Sequence, residues 1–242
     1  MNFLSFLPLL SAVISFVFAG FVFKRYLARR GTHLLLWGIG MVFYGTGGFC
    51  EAFYGFLGWN ALVFRLWYLF GAILVAAWLG QGTVYLLVKK PIAHALMAVL
   101  ALGSLYAAVR IFGTELDPAL MTKSGHTGSE LSGYAIVTPG VRSLTPFFNL
   151  YGTLALVGGA LYSAFIFWRK RVLLHRAVGN VLIAAGAILP AFGGTFSRFG
   201  IPGRCISANC WGRFCFLPAF CAPRGQSKRT KRLNRKKFSA YN

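Results

Sequence analysis

The chain has 242 residues, of which 57% are hydrophobic and only 12% charged. A soluble domain of that length carries charge on roughly a quarter of its residues, so the composition points to lipid as the solvent. The formal charge of +21, from 25 Lys/Arg against 4 Asp/Glu, would suit nucleic acid. However, the basic residues fall in short clusters between apolar runs, as the positive-inside rule expects, and no recognition module accompanies them.

In chain order, six apolar spans each approach the ~20 residues needed to cross hydrocarbon. The first, 3–23, is closed by Lys24, Arg25, Arg29 and Arg30. Its start lacks the basic residues and small-residue cleavage site of a signal peptide, so it counts as a helix. The second is 33–56, and the third, 60–88, is long enough to tilt or to protrude before Lys89 and Lys90. The fourth is 91–112. The fifth, 146–168, is opened by Pro146 and followed by Arg169, Lys170, Arg171 and Arg176, and the sixth is 177–199. The expected fold is an all-α polytopic helix bundle over 1–203, with an intended seventh helix.

Basic residues at the span ends give the orientation. Lys24, Arg25, Arg29, Arg30, Lys89, Lys90, Arg169, Lys170, Arg171 and Arg176 share one side, against Arg110, Lys123 and Arg142 on the other. The richer side is expected to be cytoplasmic, with the N-terminus outside a cell membrane of the bacterial inner-membrane type. The long outer loop, 113–145, is rich in Gly, Ser, Thr and Pro and holds Glu115, Asp117 and Glu130. Loops of that length are functional or mobile, or are plain solvated connectors, and 131–137 has the composition of a short strand or lid.

After Gly203 the composition changes. Cys205, Cys210, Cys215 and Cys221 are followed by a basic run containing Lys228, Arg229, Lys231, Arg232, Arg235, Lys236 and Lys237. The cysteine gaps of four, four and five residues lie at or beyond the long end of the spacing of paired zinc ligands, and no histidine is near, so zinc is not expected. As a membrane helix, 204–223 would carry Asn209, Arg213 and Pro218, and a central Arg costs ~3 kcal/mol. A shifted reading frame is the third reading. Among the codons compatible with 204–222, a choice exists that, read one base earlier, encodes an apolar span with one acid, followed by Arg. If the tail is native, its basic run attracts anionic lipid or is simply a solvated end.

Glu51, Cys50, Arg65 and the turn near Gly58 form the most informative stretch. Glu51 and Arg65 each lie seven residues from Gly58, which places both roughly 10 Å below the turn. A lone carboxylate or guanidinium in hydrocarbon is costly, and opposite charges at one depth offset each other. Glu51 shares a stripe with Tyr44, Gly47, Gly48 and Gly55, and Arg65 shares one with Tyr68 and Ala72. With Asn149, Tyr151 and Arg198 near the same outer ends, these residues can line a polar pocket for a ligand, an ion or proton coupling. The plain alternative is an ion pair that fixes helix packing, with Arg198 snorkelling outward.

Pro190 with Gly193 and Gly194 breaks the sixth span, as a gating hinge or as a fixed bend. His33, His94 and His175 fall at cytoplasmic span starts. Together they would suit haem or a metal; singly, each is an interfacial residue, the reading their placement favours, so no cofactor or metal is expected. Trp37, Trp59, Trp67, Trp78 and Trp168 suit interfacial belts or packing, and Cys50 suits packing. There is no zinc-protease helix, nucleophile elbow, phosphate-cradling loop or mid-helix retinal lysine, so no catalytic residue is assigned.

On its topology, and on the segments Cys50–Gly55, Thr145–Asn149 and Phe192–Gly200, the chain resembles uncharacterised bacterial seven-helix integral membrane proteins. It resembles more loosely the seven-helix sensor segments of histidine kinases. The resemblance implies a sensory or ligand-binding membrane module without its own output domain, working through a cytoplasmic or membrane signalling partner. A small transport or proton-coupled subunit and a structural accessory of a larger membrane complex are the other two readings.

Overall fold

A computed structural model of the chain describes residues 6–117, 135–138 and 140–169. The sixth span, with Pro190, Gly193, Gly194 and Arg198, lies outside the described residues, as does everything after Gly203. The described part is helical, with five helices long and apolar enough to cross a membrane. They are α1 (Phe6–Arg29), α2 (Thr32–Leu57), α3 (Ala61–Leu87), α4 (Lys90–Phe112) and α5 (Val141–Arg169).

The boundaries follow local chemistry. α1 continues past Lys24 and Arg25 to Arg29, since long basic side chains at a helix end can reach the interface without breaking the helix. The turn expected near Gly58 is there. Gly58 adopts φ 81°, a conformation open to glycine without steric penalty, and its N–H donates to the Tyr54 carbonyl at 2.9 Å. Asn60 then caps α3, its side chain accepting from the Val63 N–H at 2.8 Å, which satisfies an otherwise orphan donor. α5 begins at Val141, before the expected Pro146, which sits inside the helix. Proline there lacks the N–H that would reach Arg142, and that residue is exposed, so its carbonyl can turn to water.

The short connections make α1–α2, α2–α3 and α3–α4 antiparallel neighbours, while α3 and α5 run parallel. The Tyr68–Thr145 and Ala72–Asn149 contacts both join residues 77 apart. Along this seam Gly80 and Gly152 face each other so closely that a Cβ on Gly80 would lie 2.8 Å from the Gly152 carbonyl oxygen. On the other side of the bundle α2 seats aromatic rings of α1: a Cβ on Gly38 would lie 2.6 Å from Phe23, and one on Gly45 would lie 2.8 Å from Phe16.

Two apolar cores result. An inner one gathers Phe18, Val22, Leu34, Met41, Leu79 and Leu156. An outer one gathers Cys50, Trp59, Phe64, Trp67, Tyr68, Ile73 and Ile111, roofed by Ala135, Ile136 and Val141. The roof is a minimal ribbon from the two ends of the outer loop, with one antiparallel bridge between Leu116 and Ile136. Of the segment read as a short strand or lid, 135–137 joins that ribbon, and 131–134 lies outside the described residues.

Candidate functional site

The third helix is not regular. Its middle, Trp67–Leu74, is π-helical over eight residues, a conformation that is rare, occurs mostly as single turns and is frequent at functional sites. The wider backbone is held by its neighbours. Asn149 donates from Nδ2 to the Ala72 carbonyl at 3.1 Å, supplying a partner to a backbone group inside the bundle, as lipid-buried irregular helices require. Gly71 lies against α2 with no side chain between: a Cβ on Gly47 would stand 2.8 Å from the Gly71 Cα. The glycine stripe of Glu51 thus serves close helix approach at that point.

Polar side chains from two other helices converge on this stretch. Trp67 is only 7% exposed, so its indole N–H needs an acceptor. It finds Glu51, donating to Oε1 at 3.1 Å. Tyr68, next in sequence and buried, accepts from the Thr145 hydroxyl at 3.0 Å. Asn149 follows Thr145 by one turn. Glu51, Tyr68 and Asn149, singled out from sequence, therefore meet around one segment of α3.

Arg65 is placed differently. Two residues before Trp67, it leaves the helix on another face. Its Nη2 donates to the Thr114 backbone carbonyl at 2.8 Å, at the outer end of α4, and its Nε is buried with no hydrogen-bond partner among the described residues. Glu51 thus accepts from Trp67 of α3, while Arg65 reaches the Thr114 carbonyl.

An aromatic group surrounds the site. Tyr54 stacks on Trp59 at 4.7 Å between centroids, and Trp59 meets Phe64 edge-on at 5.6 Å. Trp59 and Trp67 are both buried, so these two tryptophans pack the outer core and are not a lipid-facing belt.

Toward the inner end is a residue that sequence reading passed over. Gln81 is fully buried. It accepts from the Tyr151 hydroxyl and donates from Nε2 to the Ala93 carbonyl at 2.8 Å, tying α3 to both α5 and α4. The signal was available: a glutamine inside an apolar span must find partners. Tyr151, expected among the outer-pocket residues, is committed here. A similar link joins the Trp78 indole to Ser104 Oγ at 3.1 Å.

His33 and His94 make separate local contacts. His33 meets Trp37 edge-on at 5.4 Å, and His94 shares a 2.8 Å hydrogen bond with the Tyr85 hydroxyl; His175 lies outside the described residues. Among the described residues no group of three or more His, Cys, Asp or Glu is placed to hold a metal. An open hollow of about 380 Å³ on α1, lined by Phe6, Leu7, Leu9, Leu10 and Val13, is purely apolar.

No known family, curated protein or solved structure matches this chain. The functional reading therefore rests on the site itself.

Proposed function

We propose that this protein is a sensory or ligand-binding membrane module whose site lies in the outer half of the bundle, around the π-helical stretch of α3. One observation carries the reading: an irregular helix segment within the membrane is contacted by a carboxylate from α2 and by two polar side chains from α5. Irregular backbone at membrane depth is tolerated where protein or a cavity supplies hydrogen bonds, and ionisable residues there are functional candidates by default. A ligand that competes for Glu51 or Asn149 would shift the balance between the widened and the regular helix and so move α3.

In this reading the end bearing Lys24, Arg25, Arg29, Arg30, Lys89, Lys90 and Arg169 faces the cytoplasm and the N-terminus lies outside. The sixth and the intended seventh span complete the bundle, and output passes to a separate signalling partner.

A second reading, a structural accessory subunit, draws on the neutral partners of Glu51 and Arg65, which already satisfy one contact of each. The two part company in a thermal-shift screen of the full chain in detergent, using amino acids, small carboxylates and small amines. The module reading expects at least one compound to raise the unfolding midpoint with concentration, and Glu51→Gln or Asn149→Ala to abolish the rise. If the variants only lower the midpoint and no compound raises that of the wild type, the accessory reading holds instead. Uptake into liposomes whose pH dependence disappears in Glu51→Gln would replace both with a proton-coupled carrier.

A further inference from the structure

We infer that Arg65 is the latch of an outer strap and the point at which a small oxyanion opens it. This rests on the ligand-binding reading above and names the ligand chemistry. The strap consists of Thr114–Asp117 and Ala135–Val137. The Asp117 N–H donates to the Ala135 carbonyl at 3.1 Å and the Val137 N–H to the Glu115 carbonyl at 3.3 Å. A two-stranded ribbon this short is not stable in water alone. It is held by what lies beneath it. Ala135 and Ile136 are buried in the outer core with Trp59, Trp67 and Ile111, and Arg65 Nη2 supplies a side-chain hydrogen bond from the bundle, to Thr114. Thr114 is itself buried, its hydroxyl committed to the Arg110 carbonyl at 2.8 Å, so the latch pulls on a fixed point.

The latch is incomplete in a way that specifies its ligand. A guanidinium has five donors in a planar fork that suits two oxygens of one anion. Here Nη2 meets a neutral carbonyl, and Nε is buried without an acceptor among the described residues. The bond to Thr114 is already charge-assisted by the guanidinium, but an oxyanion adds a countercharge and a second, parallel hydrogen bond in the fork geometry. A carboxylate or phosphate presented to the Nε edge therefore outcompetes Thr114 for the guanidinium. Drawn to the anion, Arg65 leaves the Thr114 carbonyl, and the strap loosens over the aromatic core. The anion is either dissolved outside the membrane or carried on a lipid headgroup.

Hydrogen–deuterium exchange of the full chain in nanodiscs tests this, read at the amides of Glu115–Asp117 and Ile136–Val137. In phosphatidylcholine discs, Arg65→Gln should speed exchange by about tenfold, the effect of losing one charge-assisted hydrogen bond. Arg65→Lys, which keeps the charge but loses the fork, should fall between. Inorganic phosphate, or discs of phosphatidylglycerol, should bring the wild type toward the Arg65→Gln rate and leave Arg65→Gln unchanged. Acceleration by phosphate alone identifies a dissolved ligand, and acceleration by phosphatidylglycerol alone identifies a lipid. Equal exchange in wild type and Arg65→Gln overturns the latch, as does an anion effect that survives in Arg65→Gln. Indifference of the wild type to both probes also overturns it, while ligand stabilisation that depends on Glu51 would still stand.

Discussion

The third helix has two kinds of neighbour. Against α5 it packs backbone to backbone, through Gly80 and Gly152, with Ala76, Ala77 and Ala155 close by. Against α4 it is joined by a run of hydrogen bonds: Arg65 to Thr114, Trp78 to Ser104, Gln81 to Ala93 and Tyr85 to His94. The burial differs accordingly, since only 17% of the apolar window of α4 is buried, against 28% of that of α5. Without a hydrophobic force between helices in lipid, association comes from close van der Waals packing or from interhelical hydrogen bonds. This bundle uses both for α5, where Thr145, Asn149 and Tyr151 add hydrogen bonds to the close approach at Gly80 and Gly152, and mainly the second for α4. A seam made of backbone contacts cannot shift without losing all of them together, whereas bonds made by side chains can exchange one at a time. The Gly80–Gly152 part of the α3–α5 seam is therefore the fixed frame, and the hydrogen-bonded contacts elsewhere on α3 are where rearrangement is least costly.

The sharpest way to break that contrast is at Gly152. A Cβ there would lie 2.5 Å from the Ala77 nitrogen, and backbone atoms cannot give way as a flexible side chain can. Gly152→Leu should destabilise the bundle by about 3 kcal/mol or more, measured as a lowered midpoint in detergent unfolding followed by circular dichroism. A tolerated leucine would mean the seam is loose and the frame lies elsewhere. Gln81 belongs to both faces, so it comes next. Gln81→Leu strips the acceptor from the Tyr151 hydroxyl and should cost about 1–2 kcal/mol. Adding Tyr151→Phe should recover part of that loss, because removing both partners leaves no orphan donor. A double mutant that loses the full sum of the two single effects would deny that the pair is coupled.

Much of this was legible from residue type and spacing. The five described spans appear within a few residues of where apolar runs and basic clusters placed them, and Gly58 marked its turn. Glu51, Tyr68 and Asn149 were legible as polar residues at similar depth, since charge and amide groups in hydrocarbon are conspicuous. Direction was not legible. The π-helical stretch alters the angular positions of Trp67 to Leu74, so a stripe counted on a regular helix misjudges which face each residue takes. The use of Trp67 as the donor to Glu51 could not be read from a tryptophan that equally suits a membrane interface. The Arg65 contact is to a backbone carbonyl, and every residue has one, so no side-chain pattern marks Thr114. Gln81 carries no charge to mark it in an apolar run, although a buried neutral amide must find partners too.

The smallest effect compares two rungs of the α3–α4 ladder at different depths. Ser104 is buried near the middle of α4, and its hydroxyl accepts from Trp78 Nε1 at 3.1 Å while donating to the Leu100 carbonyl at 2.7 Å. Ser104→Ala leaves the Trp78 indole without that acceptor, where water cannot replace it, and should cost about 0.6 kcal/mol, the usual size for such bonds between membrane helices. His94 pairs with Tyr85 at the exposed end of the same helices. There water competes for both groups, so His94→Phe should change stability by less than about 0.5 kcal/mol. Detergent unfolding midpoints of the two variants, measured side by side, decide whether the ladder draws its strength from depth. If His94→Phe costs as much as Ser104→Ala, the rung at the Lys90 end is shielded from water, and α4 is pinned at that end as firmly as at its centre.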